Sequence, residues 1–208
     1  MSRCLVGSEM CIRDRHCTAE RIACYRLPAS GFAPYGLIVN NRANPTLDFA
    51  GRMALAEPTT VATDTKLRRW SELTESMTAA VAQHCGGDVD IRLLSAGLGP
   101  INSWERNCLN LCKEAYVREI ELSVGGVPRL IARSLAAAES PVATYLQGLG
   151  QRPLAELLYT DPAWERAVET ISLRAPSDLP GRGVLWCHQA HQQKLLVEEF
   201  FLPGLLQS

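Results

Sequence analysis

Helical periodicity is the first clear pattern along the chain. Apolar or aromatic side chains recur at helical intervals through Trp70, Met77 and Val81, and Gly86 follows the run. This spacing predicts one amphipathic helix or two short ones. Ser76 favours a break, because serine is a good N-cap, and Met77 would then be the first residue of a second helix.

Strand alternation follows over residues 115–124, and two glycines directly after it predict a tight hairpin turn. A return strand is predicted over residues 127–135. Folding this second strand back about the glycine pair places Arg118 directly opposite Arg133.

The other segments complete the pattern of elements. We predict a strand over 90–95 followed by a loop over 96–104, helices over 140–148, from Pro153 and over 162–171, and strands over 183–189 and 194–202. The predicted order is helices, a hairpin, further helices and a final hairpin. This order is typical of an α+β domain, in which helices pack on an antiparallel sheet.

The chain before residue 61 has a different character. Residues 16–60 are rich in proline and glycine without a sustained period, which predicts a loosely ordered extension, and the packed domain is expected over 61–208. Residues 1–15 contain LVGSEMCIRD, which matches one translated frame of a transposase adapter used for sequencing libraries. We therefore interpret residues 1–15 as adapter-derived rather than native, and set Cys4 and Cys11 aside with them.

Composition and charge argue against several classes of protein. The chain has 208 residues, 47% of them hydrophobic, and 21 Lys and Arg residues against 22 Asp and Glu residues. Such a chain can bury one core, and a net charge of −1 without a basic cluster argues against nucleic-acid binding. No apolar stretch reaches the roughly 18 residues that span a bilayer. We expect a cytoplasmic, monomeric protein.

Arg118 is the most informative charged residue, because alternation places it on the otherwise apolar face of its strand. A guanidinium on a core face needs a partner. One interpretation is a structural ion pair with a buried carboxylate. The predicted neighbour Arg133 favours a second interpretation, in which both arginines bind an anion. Two like charges repel unless an anion lies between them, and paired arginines suit a carboxylate ligand.

Two predicted helix starts offer backbone N–H groups to an anion. Pro153 at the first position of a helix leaves the Leu154 N–H without an intrahelical acceptor, and Met77 after Ser76 has the same geometry. The alternative is that both helix starts simply face water or a capping side chain.

The last predicted strand carries Glu198 and Glu199 on opposite faces, with Val197 and Phe201 on the face of Glu199. Alternation alone leaves open which glutamate faces the core. The inward carboxylate would either have its pKa raised by burial or be held ionised by an arginine, and either state suits proton chemistry.

A metal site is the weaker candidate. Cys108, Cys112, Cys187, His188 and His191 offer potential zinc ligands by spacing. Cys187 and His188, however, alternate across a strand, and His191 falls in a turn. We therefore expect no metal site, and the sequence contains no phosphate-binding or dinucleotide-binding motif.

Four short motifs, taken in order and spacing, resemble the bacterial chorismate lyases. They are ESMT with Trp70 before it, YVREIEL with its GG turn and IARS return, GLGQRPLAELLY, and the terminal LLVEEFFLP. The resemblance covers about residues 65–204. It implies an antiparallel sheet with helices packed on it and covering a buried product site, whereas residues 98–112 and 187–193 depart from the family's pattern.

The same resemblance implies roles for individual residues. Arg118 would bind the ring carboxylate of the ligand, and Glu199 would lie near its 4-hydroxyl group. The backbone of Met77 and the Leu154 N–H would complete the contacts. Arg133 also falls on a family arginine, so it is a further candidate for substrate binding.

The implied reaction converts chorismate into 4-hydroxybenzoate and pyruvate, the first step towards ubiquinone, without a metal or organic cofactor. Whether Glu199 transfers a proton stays open. An alternative is a small-acid-sensing effector domain of the same fold, as in some GntR-type repressors, although residues 16–60 show no winged helix. The paired arginines argue against the third possibility, a structural or partner-binding role.

Overall fold

A single seven-stranded antiparallel sheet forms the centre of the computed structural model, which describes residues 53–60, 65–111 and 114–207. The strand order is β1-β5-β6-β7-β4-β3-β2. The strands are β1 (Glu57–Pro58), β2 (Val89–Gly99), β3 (Ala115–Val124), β4 (Val127–Ala137), β5 (Trp164–Ala175), β6 (Leu179–His188) and β7 (Gln193–Phe201). The predicted α+β class is confirmed.

Short helices cover both faces of this sheet. They are α1 (Thr65–Ser71), α2 (Met77–Cys85), α3 (Ser103–Leu109), α4 (Pro141–Leu149), α5 (Leu154–Thr160) and α6 (Pro203–Leu206), with 3-10 turns at Met53–Leu55 and Pro176–Asp178. Helices α1, α2, α4, α5 and α6 pack on one face, whereas α3 and the turn at Met53–Leu55 pack on the other. None of the helices in the described part of the chain has the length and apolar character needed to cross a membrane.

The predicted break at Ser76 is confirmed. Its hydroxyl accepts a hydrogen bond from the Ala79 N–H at 3.3 Å, and α2 begins at the next residue, Met77. Gly86 ends α2 with a φ of 68°, a left-handed conformation that glycine adopts without steric cost. A local polar signal and a glycine therefore set both ends of this helix.

The β3–β4 hairpin is present, but its predicted register is wrong. Val124 pairs with Val127 as expected, yet a bulge at Arg129 shifts every later pair by one residue. Arg118 therefore lies opposite Ser134 rather than Arg133. Pro128 accounts for the irregularity, because a residue without an N–H interrupts the hydrogen-bond ladder and is typical of bulges.

Residues 162–171 do not form the predicted helix, since 162–163 form a turn and 164–171 belong to strand β5. The helical spacing there was misleading, because Val168, which contributes to it, is 95% exposed. It lies where the β5–β6 register shifts between Arg166 and Thr170. Pairing with the full length of β6 outweighs the helix propensity of the glutamate, arginine and alanine residues.

Strand β2 runs on to Gly99, through half of the predicted loop, and helix α3 follows it. The glycines indicated a turn, but Gly99 allows a close approach instead: a Cβ there would lie 3.0 Å from a Val117 methyl group. Asn102 and Glu105 form a capping box at the start of α3. The sequence contains this Asn-x-x-Glu signal, which is typical of a helix start, so the start of α3 is encoded locally.

Residues 53–60 include two buried side chains, although the packed domain is expected to begin at residue 61. The side chains of Met53 and Ala56 are completely buried against Phe200 and neighbouring apolar groups. The carbonyl of Ala56 also accepts hydrogen bonds from the Asn102 amide and the Trp104 indole, both at 2.8 Å. A chain that begins at Thr59 would lose these contacts. Residues 1–52, which include the adapter-like segment, lie outside the described residues.

Candidate functional site

A partly enclosed cavity lies between helices α2 and α5 and the face of the sheet on which these two helices pack. Its apolar wall comes from both sheet and helices, and its polar lining comes mainly from β5, β6 and β7. The lining residues are Met77, Thr78, Ile120, Leu122, Ala132, Ser134, Leu154, Ala155, Leu158, Tyr159, Arg166, Arg182, Val184, Trp186, Val197 and Glu199. An apolar cavity with a few convergent polar groups is the usual form of a small-molecule site.

Arg118 lies at the edge of this cavity, because it pairs with Ser134 and shares its strand face with Ile120, which both line the cavity, and 1% of its surface is exposed. Its Nη2 donates to the carbonyls of Gly150 and Arg152 at 2.9 and 2.8 Å, in the segment just before α5. Its Nε and Nη1 are buried without a hydrogen-bond partner. Burial lowers the pKa of this guanidinium. Within the described residues Arg118 forms no ion pair, so a structural pair with a carboxylate is not its role there.

Glu199 faces the cavity from β7, and its face of the strand agrees with the predicted alternation. Its neighbours across the ladders are Ala132 on β4 and Arg182 on β6. The Arg182 Nε donates to a carboxylate oxygen of Glu199 at 2.6 Å. Arg182 also donates through Nη1 to the carbonyls of Trp70 and Leu73, so both ends of its guanidinium are engaged.

Glu198 and Arg133 lie on the opposite face of the sheet, away from the cavity. The Arg133 guanidinium contacts three carboxylates, those of Glu105, Glu119 and Glu198. Burial first, and then the charge of Glu105, raise the pKa of Glu198 well above its ordinary value, although Arg133 opposes this. The bulge in the hairpin explains why Arg133 does not accompany Arg118: the shifted register pairs Arg133 with Glu119 instead.

Met77 and Leu154 both reach the cavity as the first residues of their helices. Met77 is buried at the start of α2, and Leu154 is buried at the start of α5. Helix α5 begins one residue later than predicted, since Pro153 occupies the N-cap position and provides no side-chain cap. The first N–H groups of a helix have no intrahelical acceptor, which leaves these two backbone segments suited to a polar ligand.

Sequence reasoning missed the remaining polar residues of the cavity. Arg182 falls just before the predicted strand 183–189, and Arg166 falls in the segment predicted as a helix. Tyr159 lies near the end of α5, and its hydroxyl donates to the Thr74 carbonyl at 3.2 Å. Arg182 shares its face with Val184 and Trp186, so an earlier start of β6 would have revealed a second buried arginine.

The candidate zinc ligands do not form a cluster among the described residues. In residues 53–60, 65–111 and 114–207, no group of three or more His, Cys, Asp or Glu side chains has the geometry to hold a metal ion. His188 and His191 stack with ring centroids 4.4 Å apart, and the His191 ring bonds to the Tyr145 hydroxyl. Cys112 lies outside the described residues.

Comparison with known proteins identifies relatives across the described domain. The family model for chorismate lyase matches residues 54–207. A probable chorismate pyruvate-lyase of Azoarcus sp. (strain BH72) is 31% identical over 76% of this chain and 94% of its own length. The chorismate pyruvate-lyase of Sodalis glossinidius is 33% identical over 67% of this chain and 79% of its own length.

Among solved structures, two ligand-binding domains of regulators share part of the architecture. The C-terminal domain of a histidine utilization repressor from Pseudomonas syringae matches 56% of this chain and 92% of its own, with a TM-score of 0.41 and 13% identity. The ligand-binding domain of a GntR-family regulator from Bordetella bronchiseptica matches 56% of this chain and 84% of its own, with a TM-score of 0.40 and 13% identity. Similarity at this level has no bearing on what this chain binds.

Proposed function

The chain belongs to the chorismate lyase family, and we propose that it converts chorismate into 4-hydroxybenzoate and pyruvate in the cavity beside Arg118. The observation that carries this proposal is the buried Arg118 guanidinium, which has two nitrogens without a partner and no ion pair among the described residues. Burying such a charge is costly unless an anion completes the site, and chorismate supplies carboxylates.

The ring carboxylate of the substrate is assigned to Arg118. Two backbone carbonyls fix the Nη2 end of the guanidinium, while Nε and Nη1 are left to donate. The Nε and Nη1 groups lie on different edges of the planar guanidinium, so each can donate a single charge-assisted hydrogen bond to a carboxylate oxygen. The Leu154 N–H at the start of α5 is a further donor for the same carboxylate, because α5 follows directly after the carbonyls that hold Arg118.

Met77 is assigned to the contact between the ring and the start of α2. Its side chain is buried, and the Ser76 cap holds the first turn of the helix in place. This fixes the distance between the α2 backbone and the apolar wall formed by Ile120 and Leu122. The ring would therefore be held between backbone and side chains that are already ordered, which lowers the entropic cost of reaching a reactive geometry.

Glu199 is assigned to the 4-hydroxyl group at the other end of the ring. The Arg182 Nε, 2.6 Å away, fixes the orientation of the carboxylate and compensates its charge. A carboxylate can accept a hydrogen bond from this hydroxyl, and it can also accept the proton that leaves C4. Arg133 is not assigned to the substrate, because its guanidinium is enclosed by glutamates on the other face.

The reaction itself is an elimination. The C4–H bond and the C3–O bond of chorismate break, the electrons of the C4–H bond complete the aromatic ring, and the enolpyruvyl group leaves as the enolate of pyruvate. One proton is lost at C4 and one is gained at the methylene carbon, so no redox partner or cofactor is required. Aromatisation supplies the driving force, and the cavity contributes by fixing the two ends of the ring.

The product would be used for ubiquinone synthesis, and we propose a monomer in the cytoplasm as the working form. Cys85, Cys108 and Cys187 are unpaired, as is usual for proteins of a reducing compartment. Light scattering at assay concentration would test the first point, and fractionation of cells that express the chain would test the second.

The direct test is to incubate the purified chain with chorismate and to follow 4-hydroxybenzoate and pyruvate by chromatography. We expect both products in equal amounts, with and without a metal chelator. Binding of 4-hydroxybenzoate without any turnover would contradict the proposal and would instead indicate an effector domain that senses small acids.

A further inference from the structure

A second guanidinium reaches the same cavity from strand β5. Arg166 pairs with Trp186 on β6, and both line the cavity. Its Nη2 donates to the Thr170 hydroxyl at 3.1 Å and to the Leu73 carbonyl at 3.4 Å, and its Nη1 donates to the Ala167 carbonyl at 3.5 Å. All of these acceptors are uncharged, and most of the distances are long for a charged donor.

The charge of Arg166 has no carboxylate partner of its own. Among the residues that the structure describes, it forms no ion pair, whereas Glu199 is engaged by Arg182 at 2.6 Å. Burial, and then repulsion from Arg182, lower the pKa of Arg166. Within the described residues, the cavity is therefore lined by one compensated pair, Arg182 with Glu199, and by the Arg166 guanidinium, which lacks a counter-ion, as does Arg118 beside the cavity.

The substrate assigned above carries two carboxylates. One is on the ring at C1, opposite the C4 hydroxyl, and the other is on the enolpyruvyl group, which is attached through oxygen at C3. Because C3 is adjacent to C4, the second carboxylate lies at the hydroxyl end of the molecule. If Arg118 binds the ring carboxylate and Glu199 lies at the hydroxyl, a second cation is required on the Glu199 side.

Arg166 meets this requirement and Arg182 does not. Arg166 and Arg182 both donate to the Leu73 carbonyl, and Arg182 also donates to Glu199, which places Arg166 at the Glu199 end of the cavity. Arg182 already donates to Glu199 and to backbone carbonyls of the α1–α2 connection. We propose that Arg166 binds the enolpyruvyl carboxylate of chorismate, so that the site distinguishes the substrate from 4-hydroxybenzoate, which lacks this group.

This inference rests on the proposed function and assigns the second charge of its substrate. It predicts that Arg166 contributes to the binding of chorismate and not to the binding of the product. Arg118, which faces the carboxylate common to both molecules, is expected to contribute to both. The two arginines are therefore separable by comparing two ligands that differ in one carboxylate.

The test uses Arg166→Ala and Arg166→Gln, with Arg174→Ala as the matched control. Arg174 lies on the same strand outside the cavity and pairs with the exposed Asp178 at 2.6 Å. We expect kcat/KM for chorismate to fall about 10- to 100-fold in both Arg166 variants, mainly through KM, because a hydrogen bond to a charged group is lost. The inhibition constant of 4-hydroxybenzoate should stay within about twofold, and Arg174→Ala should match the unmodified chain on both measures.

Either of two results would overturn the assignment of Arg166. One is an unchanged kcat/KM for chorismate, and the other is an equal loss of affinity for chorismate and 4-hydroxybenzoate in a folded variant. If the unmodified chain bound chorismate without releasing 4-hydroxybenzoate, the proposed function would fail. The role of Arg166 would still be decided by the dissociation constants of chorismate and 4-hydroxybenzoate for the same variants. Failure to bind chorismate at all would overturn both.

Discussion

The two faces of the sheet bury arginine and glutamate networks of opposite charge balance. On the cavity face, Arg118, Arg166 and Arg182 accompany a single glutamate, Glu199. On the other face, a single Arg133 contacts three glutamates. Glu198 and Glu199 are adjacent in sequence, yet they belong to different networks because successive side chains of a strand point to opposite faces.

The difference shows how each face reaches electrical balance. The face of Arg133 is closed by helix α3 and by the turn at Met53–Leu55, and burial beside Glu105 raises the pKa of Glu198, which favours a bound proton over a further negative charge. The cavity face has an excess of guanidinium groups, which no proton can compensate. No carboxylate of the described residues pairs with Arg118 or Arg166, so we assign the anionic substrate to this face.

The largest expected effect concerns stability and comes from Arg133→Met. Removing this guanidinium leaves Glu105, Glu119 and Glu198 buried together without a cation. We expect the free energy of unfolding to fall by about 3–5 kcal/mol, as is typical when one partner of a buried ion pair is removed. Denaturant titration measures this value, and a change below about 1 kcal/mol would contradict a structural role for this network.

Arg118→Ala is expected to have the opposite profile, with a large loss of activity in a stable protein. No carboxylate of the described residues depends on Arg118, so the variant should stay folded, with a modestly lower melting temperature because the Gly150 and Arg152 carbonyls lose their donor. We expect kcat/KM to fall about 100-fold or more, because a buried charged contact to the substrate is lost. Enzyme assays and thermal melts on the same sample separate the two effects. Unfolding of the variant, together with no affinity of the unmodified chain for 4-hydroxybenzoate, would make Arg118 a structural residue.

The adjacent glutamates provide a matched comparison of the two faces. Glu199→Gln keeps a hydrogen-bonding group but removes the charge, so kcat should fall about 10- to 100-fold if this carboxylate takes part in proton transfer or orients the hydroxyl. Glu198→Gln should leave kcat and KM within about twofold, because that side chain does not line the cavity. Steady-state kinetics on chorismate decides the matter, and equal losses in both variants would refute the separation of the faces.

The smallest expected effect is a change in the pH dependence of stability. The folded state holds the proton of Glu198 above the ordinary pKa of 4.5, so it binds more protons than the unfolded state. The free energy of unfolding therefore decreases as pH rises from about 4.5 towards the folded pKa, by at most about 1.4 kcal/mol per pH unit. Glu198→Gln should remove this decrease. Denaturant titrations across that pH range test it, and identical slopes for variant and unmodified chain would show that Glu198 is ionised when folded.

The sequence by itself determined the elements whose signals are local. The Ser76 cap, the hairpin around its glycine pair and the alternation of the last strand were all predicted and all occur, because each depends on residues within a few positions of one another. The motifs also sufficed for the family. Among the candidate residues, Met77, Leu154 and Glu199 do line the cavity, and Arg118 lies at its edge.

Only the tertiary structure decided the partners of the buried charges. The sequence predicts Arg133 opposite Arg118, but the bulge at Arg129 shifts the register by one residue and places Arg133 in a glutamate network. A shift of one residue places a strand's side chains on the other face. Pairing with β6 turned a helix-like segment into β5 and brought Arg166 into the cavity. Such pairings join residues far apart in sequence, so no local pattern encodes them, and the charge balance of each face follows from the complete sheet.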